Sequence, residues 1–571
     1  MSTQSEMIGV QEWRDVLWPQ IEKDVHCLQR RIYRASRKED GELVHRLQRL
    51  LLSSWSAKTL AVRRVTQDNQ GKRTAGVDGV ACLEPEERLL LVSELSLDAK
   101  PKPVRRIWIP KPGTDEKRPL GIPTLYDRAL QALVKLALEP EWEAKFEADS
   151  YGFRPGRSCH DAIGAIFASI KQLPKYVLDA DIAKCFDRIN QDALLDKLQT
   201  FPLMRRVIKA WLKAGVLDGE TLFPTEEGTP QGGVISPLLA NVALHGLIKE
   251  IESHFPSRKR TTKGKSAVWM PDAIRYADDF VVLHRDEGAI RECQAIAQEW
   301  LKGMSLELKP SKTRIGHTLN EVDGITGFDF LGVTIRQFHV GKYHSGTDSH
   351  GRALGFKTII KPSNKKVKLH QERLAEIVKA KRGAPQKALI KTLNPIIRGW
   401  CNYYRTVCST GTFRKVNAVL HNLLMRWAKW RHRGKGLQWI VRRYWLYPRW
   451  VFATKDGMAL YRHPKTKIGR HVKVRGDKSP FDGDWKYWTS RQAYYPGISP
   501  WLARLLKRQQ GKCAYCGMLF LPDDLLEVHH VYHDAKKKEY HLEALHRHCH
   551  DKVHGPRRKA INLEESVLDR D

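Results

Sequence analysis

The stretch that decides the fold of this chain is Ala273-Ile274-Arg275-Tyr276-Ala277-Asp278-Asp279-Phe280-Val281-Val282-Leu283, an acidic pair between two runs of strand-forming residues. Ile, Tyr, Phe and Val favour β-strands, whereas Asp is disfavoured within strands and common in turns. We therefore predict a β-hairpin with Asp278 and Asp279 at its tip. Carboxylates at such a tip can be aimed at metal ions, although an ordinary hairpin with a solvated turn would show the same pattern.

A second acidic stretch lies upstream, at residues 176–187, which read YVLDADIAKCFD. Mg²⁺ prefers oxygen ligands, and phosphoryl transfer can use two such ions about 3.5–4 Å apart. Carboxylates on two separate strands could supply the ligands for both ions.

The two acidic stretches and three further blocks resemble the reverse transcriptases of group II introns. The acidic stretches supply Tyr-Ala-Asp-Asp and an upstream Asp-Ile-x-x-x-Phe-Asp. The other blocks, in the order and spacing of that family, are RPLGIP at 118–123, YGFRPGRS at 151–158 and EGTPQGGVISPL at 227–238.

The resemblance implies roles for residues around the acidic hairpin. Asp181 and Asp278 are expected to bind two Mg²⁺ ions, with Asp279 as a supporting acid, and Asp179 and Asp187 are expected to be structural. Lys309 or Lys312 could contact a triphosphate, and the sequence leaves open which one. The predicted deoxynucleotide contacts are Lys111 and Arg118 at the triphosphate, Phe186 against the sugar 2′-position and Gln231 beside the incoming base. The alternatives are cations on a solvated hairpin and a core phenylalanine.

Composition points to a nucleic-acid partner. The chain has 571 residues and a formal net charge of +34, with 17 Trp and 17 Tyr. Such a charge attracts polyanions, and aromatic rings can stack on bases. No apolar run reaches the roughly 18 residues of a membrane span, and residues 1–6 lack a signal-peptide pattern. We therefore expect a cytoplasmic protein with no membrane partner and mostly reduced cysteines.

The fold class expected from the resemblance is α+β and multidomain. It comprises a right-hand reverse transcriptase with fingers and palm, an α-helical thumb or maturase domain, a basic DNA-binding region and a ββα-metal (HNH) nuclease. Residues 328–335 are expected to form the strand that closes the palm. The predicted domains are an N-terminal extension at 1–95, fingers and palm at 96–340, thumb and maturase at 341–430, the DNA-binding region at 431–497 and the nuclease at 498–571.

The stretch LNPIIRGWCNYYR at 393–405 resembles the maturase domain of group II intron proteins. By that resemblance the expected contacts with RNA or DNA are Arg398, Trp400, Tyr403, Tyr404 and Arg405. Aromatic residues also alternate with arginines between residues 413 and 452, a composition that suits stacked bases and a phosphate backbone, although many of these rings must be core.

Two short Cys/His pairs near the C-terminus predict a structural zinc site. Cys513 and Cys516 form one pair, and His546 and Cys549 return a second pair at the same spacing. Tetrahedral Zn²⁺ suits such a set in a module too small to depend on its apolar core. His548 could replace His546, with a less regular spacing.

A second set of histidines interleaves with the zinc pairs and resembles the HNH nuclease. The resemblance implies that His530 is the general base, while His529, His550 and His554 bind a divalent ion such as Mg²⁺. The family's middle Asn is not evident, and His541 lies about where it is expected. The alternative is one zinc module that uses some of these histidines, but they exceed what one zinc needs.

Together the resemblances imply a group II intron-encoded protein that is a reverse transcriptase, a maturase and a DNA endonuclease. Its expected partners are the intron RNA, double-stranded target DNA and dNTPs, and a homodimer stays open. Two rivals are a maturase without enzyme activity, which the intact acidic and histidine pairs disfavour, and a retron-like reverse transcriptase, which residues 398–404 and the appended nuclease disfavour. A stand-alone homing endonuclease would leave most of the chain unexplained.

Overall fold

The computed structural model describes residues 12–110, 116–256, 269–446, 450–492, 498, 500–520, 524–534 and 539–554. These residues form a mixed α/β chain with several packed units. None of the described helices is both long and apolar enough to cross a membrane.

The α-helices of the described residues are, in chain order, α1 Trp18–Arg37, α2 Gly41–Ser53, α3 Trp55–Arg63, α4 Pro85–Glu94, α5 Leu125–Lys145, α6 Cys159–Ile170, α7 Cys185–Arg188, α8 Gln191–Leu198, α9 Pro202–Leu212, α10 Ser236–Leu244, α11 Leu247–Ser253, α12 Glu287–Lys302, α13 Asn364–Ala380, α14 Gln386–Tyr404, α15 Thr410–Arg431, α16 Leu437–Tyr444, α17 Trp485–Gln492, α18 Pro500–Arg508 and α19 Arg547–His554.

The strands of the same residues are, in chain order, β1 Val104–Pro110, β2 Lys117–Ile122, β3 Tyr176–Asp181, β4 Val216–Asp218, β5 Thr221–Phe223, β6 Asp272–Tyr276, β7 Asp279–His284, β8 Arg314–His317, β9 Phe328–Phe330, β10 Val333–His339, β11 Phe356–Pro362, β12 Trp445–Leu446, β13 Val451–Phe452, β14 Leu526–Asp534 and β15 Glu539–His546.

The N-terminal helices pack around the long helix α5. Its amphipathic neighbours α1 and α2 turn their buried faces towards it, and both place a glutamine against it. Gln29 donates to the carbonyl of Leu136 at 2.9 Å, and Gln48 donates to the carboxylate of Glu141 at 2.7 Å. The amide nitrogens of both glutamines thus bond to α5, which holds the helices in one register on it.

Two four-stranded sheets follow the N-terminal helices. The first has the order β2-β1-β4-β5, and its strands β1 and β2 pair antiparallel, from Arg105 opposite Ile122 to Pro110 opposite Lys117. The second, which we call the aspartate sheet, has the order β6-β7-β3-β8. The central strands of the aspartate sheet are almost fully buried, because α6 and α12 cover it and remove Val177, Leu178, Val281 and Val282 from water.

A third sheet, of order β11-β10-β9, corrects one expectation. Residues 328–335 were expected to form one strand, and that prediction is wrong. The chain reverses at Leu331 and Gly332, whose φ angles are +46° and +79°, so that β9 and β10 pair antiparallel. Gly is common at such a position because it lacks a Cβ that would clash.

The helices α13 to α16 share a second hydrophobic core with this sheet. The C-terminal module, which runs from α18 to α19, has its own small core around Leu506, Phe520 and Leu545. It also contacts the N-terminal helices: Lys552 donates to the carbonyl of Val16 at 2.9 Å, and His548 Nδ1 lies 3.6 Å from Glu22 Oε1.

Candidate functional site

The predicted acidic hairpin is present and its turn is tight. Tyr276 pairs with Asp279 across it, which leaves Ala277 and Asp278 as the two turn residues. The predicted tip of Asp278 and Asp279 is therefore one residue too late, because Asp279 already pairs within the sheet as the first residue of β7. Ala277 adopts a left-handed conformation with φ of +57°. We call Ala277 and Asp278 the aspartate turn.

The strand β3 brings the second acidic stretch to the aspartate turn. Asp181 is the direct partner of Asp279 in the β3–β7 pairing. The amide of Ile182 donates to the carbonyl of Asp278 at 3.2 Å. Three carboxylates from distant parts of the sequence therefore meet at one end of the aspartate sheet.

The electrostatics of these carboxylates suit a bound cation. Burial, together with the charge of Asp181, raises the pKa of the Asp278 carboxyl. Burial and the charges of Asp278 and Asp181 raise the pKa of Asp279 to about 7. Buried like charges repel one another, and a divalent ion would relieve that repulsion. The donor set, all carboxylate oxygens, is the one that Mg²⁺ prefers.

Lys312 is the lysine that reaches this site. Its ammonium contacts Asp181 Oδ2, whereas Lys309 holds Asp181 through its backbone amide, which donates to the Asp181 carbonyl at 2.8 Å. Lys312 is thus the lysine whose ammonium lies beside the carboxylates, and which of the two lysines contacts the triphosphate stays a prediction.

The Pro-Gln-Gly block lies against the β2 strand. The carbonyl of Gln231 accepts from the amide of Gly121 at 2.5 Å, and its side chain donates to Asp187 at 3.2 Å. Gly232 has φ of +113°, and a Cβ there would collide with the Gly121 carbonyl. Arg118, on β2, is near enough for its charge to act on Asp278. Lys111, the other predicted triphosphate contact, lies outside the described residues.

Phe186 is half-buried beside these residues. Its ring meets that of Phe153 edge to face, with centroids 6.3 Å apart, and its carbonyl accepts from the amide of Thr229 at 2.6 Å. Asp179 pairs with Arg314 at 3.4 Å, in keeping with a structural role.

The YGFRPGRS block and the helix after it hold the later basic segment, a function that the sequence did not suggest. Asp161, at the start of α6, accepts from Arg491 at 2.5 Å, lies 3.0 Å from His471 and accepts from the amide of Val474 at 2.8 Å. Arg157 donates to the carbonyl of Gly476 at 2.9 Å. A capping box at the start of α6 was the only local signal for Asp161.

The residues predicted to contact RNA or DNA in α14 make mostly intramolecular contacts. Trp400 stacks on His370 with centroids 4.3 Å apart, and Arg398 lies over the ring of Tyr461 at 4.6 Å. The hydroxyls of Tyr403 and Tyr404 donate to the carbonyls of Leu331 and Gly332 at 2.7 Å and 3.2 Å, and Tyr404 is buried. The carbonyl of Arg405 accepts from the amide of Gly469 at 2.9 Å. These contacts join α14 to the third sheet and to residues 461–469, and nucleic-acid contact by this set stays a prediction.

The C-terminal module brings together the four predicted zinc ligands. The ligand atoms of Cys513, Cys516, His546 and Cys549 all lie within 4.8 Å of one another. Three of the four residues are buried, and Cys516 Sγ lies 3.3 Å from His546 Nδ1. Thiolate and imidazole donors in a buried group of four fit Zn²⁺. The other nitrogen of His546, Nε2, lies 3.3 Å from Asp524 Oδ2, whereas His548 points towards Glu22 instead.

A second group in the same module joins His529, His550 and His554, whose ligand nitrogens also lie within 4.8 Å of one another. His529 Nδ1 is 3.0 Å from His554 Nε2, and His550 Nδ1 is 2.8 Å from Glu527 Oε2. One strand, β14, supplies His529 and one helix, α19, supplies the other two histidines. His530 is the next residue on β14, and His541 is on the paired strand, opposite Tyr532.

Comparison with known proteins accounts for most of this architecture. Residues 13–95 match the N-terminal domain of reverse transcriptase, residues 109–335 match reverse transcriptase (RNA-dependent DNA polymerase), and residues 367–445 match the group II intron maturase-specific domain. The chain is 30% identical to the group II intron-encoded protein LtrA of Lactococcus lactis subsp. cremoris over 455 residues, which is 67% of this chain and 74% of the relative. This chain belongs to the group II intron-encoded proteins.

Two other relatives are similar to parts of this chain. This group II intron-encoded protein is 34% identical to Protein YkfC of Escherichia coli (strain K12) over 329 residues, 50% of this chain and 82% of the relative. It is 31% identical to Maturase-like protein 1 of Euglena gracilis over 253 residues, 42% of this chain and 53% of the relative. The protein is therefore a reverse transcriptase and a group II intron maturase, and its maturase domain implies an intron RNA as partner.

Proposed function

We propose that this protein carries out intron mobility in full: it nicks target DNA with its C-terminal module and extends the new 3′ end by copying the intron RNA. The observation that carries the nuclease half is the group of His529, His550 and His554. Three imidazoles on one strand and one helix can hold a single divalent ion, and the adjoining His530 would activate water.

Polymerisation is assigned to the aspartate sheet, which serves as the palm of a right-hand enzyme. The primer 3′-oxygen attacks the α-phosphorus of a dNTP, a P–O bond forms and pyrophosphate leaves with its electron pair. Arg118 and Lys312 offset the charge of the triphosphate, together with the predicted contact Lys111. Phe186 excludes a ribose 2′-hydroxyl, and Gln231 lies by the incoming base. Asp181 and Asp278, with Asp279 in support, would hold Mg²⁺, which would supply charge stabilisation of the attacking and leaving oxygens.

The nuclease step uses the histidines of the C-terminal module. His530 takes a proton from water, which attacks a DNA phosphorus, and the 3′-oxygen leaves. His529, His550 and His554 would hold a divalent ion, which would supply stabilisation of the leaving oxygen. The Glu527 carboxylate, with Oε2 2.8 Å from His550 Nδ1, would orient the ring and raise its basicity as a ligand.

Zinc is assigned a structural role in the same module. Cys513, Cys516, His546 and Cys549 would hold it, and Asp524 would orient His546 through Nε2. The module has a small apolar core, so metal binding would supply much of its folding free energy.

The domain ranges given above describe the same division of labour. Fingers and palm at 96–340 polymerise, the thumb and maturase domain at 341–430 binds intron RNA, and residues 431–497 contact double-stranded target DNA. The Arg157 and Asp161 contacts support this arrangement, because they hold residues 471–491 against the polymerase.

The test uses the full-length protein bound to its intron RNA, given duplex DNA that carries the joined exons, dNTPs and Mg²⁺. We expect a nicked strand with cDNA growing from it. The variant His530→Ala should lose the nick and that cDNA but still extend an annealed DNA primer, and Asp278→Asn should nick without extension. The exposed His350→Ala serves as control. A His530→Ala protein that nicks at the wild-type rate would remove the nuclease assignment.

A further inference from the structure

Arg275 is a fully buried cation directly before the aspartate turn. It lies in β6 between Ile274 and Tyr276, and none of its surface reaches solvent. Burying a charged guanidinium is costly unless it is paired and hydrogen-bonded. Its presence at a fully buried position of β6 therefore calls for an explanation that strand packing does not supply.

The guanidinium of Arg275 reaches three acceptors around the turn. Its Nη1 donates to the carbonyl of Ala277 at 3.1 Å and to Asn241 Oδ1 at 3.2 Å, and its Nη2 donates to Ser150 Oγ at 2.8 Å. One side chain thus joins the turn to α10 and to the segment before the YGFRPGRS block.

The backbone of Arg275 strengthens the same connection. Its amide donates to the carbonyl of Asp149 at 2.9 Å, and its carbonyl accepts from the amide of Tyr151 at 2.9 Å. Asn241 closes the network, because its Nδ2 donates to the carbonyl of Gly152 at 2.7 Å. Gly152 itself packs so closely on the turn that a Cβ there would collide with the backbone nitrogen of Ala277.

The aspartate turn needs such support. Ala277 is a non-glycine residue in the left-handed region, where an L-residue costs about 1–2 kcal/mol. Residues in that region persist when their surroundings determine them. The contact between Arg275 and the Ala277 carbonyl sets the peptide that leads into Asp278, and thereby the direction of its side chain.

Charge adds a second link. Glu147 and Asp278 both lie near enough to Arg275 for their charges to act on it. Glu147 is held by His245, 3.0 Å away, and by the amide of Gly246 at 2.6 Å. The buried guanidinium is therefore stabilised by two carboxylate charges: that of Glu147, which is held within the fold, and that of Asp278, the predicted metal ligand.

We propose that Arg275 is a positioning residue for polymerisation: by donating a hydrogen bond to the Ala277 carbonyl, it sets the orientation of Asp278 as a metal ligand. Arg275 does not touch the nucleotide or the primer. Its contribution acts on the geometry of the carboxylate, so its loss should weaken metal binding and slow the bond-forming step while it leaves nucleotide affinity nearly intact.

The experiment compares full-length variants in single-turnover dNTP addition on an annealed RNA template and DNA primer. Arg275→Met keeps the length of the side chain without its donors, and it should lower the rate of addition by about 100-fold, as a misplacement of about 1 Å does. The dNTP dissociation constant should stay within about threefold of wild type, since the residue makes no substrate contact. Arg275→Lys keeps the charge but not the planar set of guanidinium donors, and its rate of addition should lie between those of the wild type and Arg275→Met.

A second readout is independent of activity. Electron paramagnetic resonance measures Mn²⁺ binding to the protein without substrate. The part of the signal that is lost in Asp278→Ala belongs to this site. Arg275→Met should weaken that binding about 10- to 100-fold, the usual cost of an outer-shell partner of a metal ligand. The matched control is Arg63→Lys, a buried arginine that pairs with Glu22 far from the turn in sequence and should leave both readouts unchanged.

Ser150→Ala keeps the test decisive if Arg275→Met does not fold. It removes one neutral acceptor of the guanidinium and should lower both addition rate and Mn²⁺ affinity, with dNTP affinity unaltered. Wild-type rates and Mn²⁺ affinities in the folded variants would overturn the proposal, and so would losses that only follow the folded fraction measured by thermal melting.

Discussion

The ammonium of Lys312 contacts the carboxylate of Asp181, so a cation from the segment after α12 already sits against a residue predicted to bind Mg²⁺. The Lys312 side chain is mostly exposed, and it can therefore turn away from Asp181 when another cation arrives. This relationship suggests that Lys312 exchanges one partner, the carboxylate, for another, the triphosphate.

Lys312→Met tests that exchange. We expect the KM for dNTP to rise about tenfold, equivalent to about 1.4 kcal/mol of lost binding, because one triphosphate contact is removed. Steady-state primer extension measures it. The matched control is Lys309→Met, since Lys309 contacts Asp181 through its backbone amide, which the substitution keeps. Equal effects of the two substitutions would contradict the distinction between them.

Asp278→Asn should reduce primer extension more than 100-fold, beyond the roughly 10–100-fold cost of losing an outer-shell group. The physical reason is loss of a charged metal ligand from a site built of one buried and two half-buried carboxylates. Asp179→Asn, on the same sheet but paired with Arg314, is the control and should retain most of the activity. If Asp179→Asn were the more damaging change, the ligand assignment would have to be revised.

Phe186→Val should admit ribonucleotides. Removing part of the ring opens space beside the sugar, and we expect the ratio of rNTP to dNTP kcat/KM to rise about 10- to 200-fold, the range for a pocket that gains a small group. Competitive incorporation on one template gives the ratio directly. The control is Phe167→Leu, which changes an exposed phenylalanine on α6 and should leave the ratio as it is. An unchanged ratio in Phe186→Val would mean that Phe186 is only a packing residue.

Cys516→Ser should release zinc and loosen the C-terminal module without loss of primer extension. The four ligand atoms are grouped within 4.8 Å, so removal of one thiolate breaks the set. Bound zinc by elemental analysis and limited proteolysis after residue 498 are the measurements. Cys408→Ser, an exposed thiol elsewhere, should change neither result. Full zinc content in Cys516→Ser would point to another ligand set.

Acid should destabilise the core formed by α13 to α16. His370 and His463 are buried, with their Nε2 atoms 3.1 Å apart, and burial lowers their pKa values to about 4 and about 3. Because both folded pKa values lie below the unfolded value near 6.5, stability is fully present above pH 6.5 and is lost as the pH falls towards 4. For His370 the loss is on the order of 3 kcal/mol.

Thermal melting between pH 7 and pH 4.5 checks this prediction. His370→Gln should melt lower at pH 7, since it loses the stack on Trp400, but its melting temperature should fall less with acid than that of the wild type. His350→Gln, an exposed control, should follow the wild-type slope. Parallel slopes for all three proteins would show that the buried pair does not govern the acid response.

Several features could be predicted from the residues alone because they depend on local spacing. The acidic pair predicted a hairpin since Asp breaks a strand pattern, and the structure confirms the turn. The two pairs at Cys513 and His546 predicted one group of ligands, and their donor atoms come together. The stretch 328–335, however, predicts one strand, because apolar residues lie on both sides of the reversal at Leu331 and Gly332.

Other features depend on contacts between residues far apart in the chain. Arg275 could have been noticed as a charge within a strand, but nothing nearby in sequence identifies Ser150 and Asn241 as its partners. Likewise, nothing nearby in sequence identifies His370 and Gly332 as the residues that Trp400 and Tyr404 contact in the structure.

The sequence by itself determined the family, the carboxylates and the Cys/His sets, since motif order and ligand spacing are local properties that survive without coordinates. Three contacts became visible only in the tertiary structure. The ammonium of Lys312 contacts Asp181, and the YGFRPGRS block and the helix after it hold the basic segment. The buried Arg275 donates to the carbonyl of Ala277 in the aspartate turn. The physical reason is that burial and hydrogen-bond partnership arise from the packing of distant segments, which residue order alone does not specify.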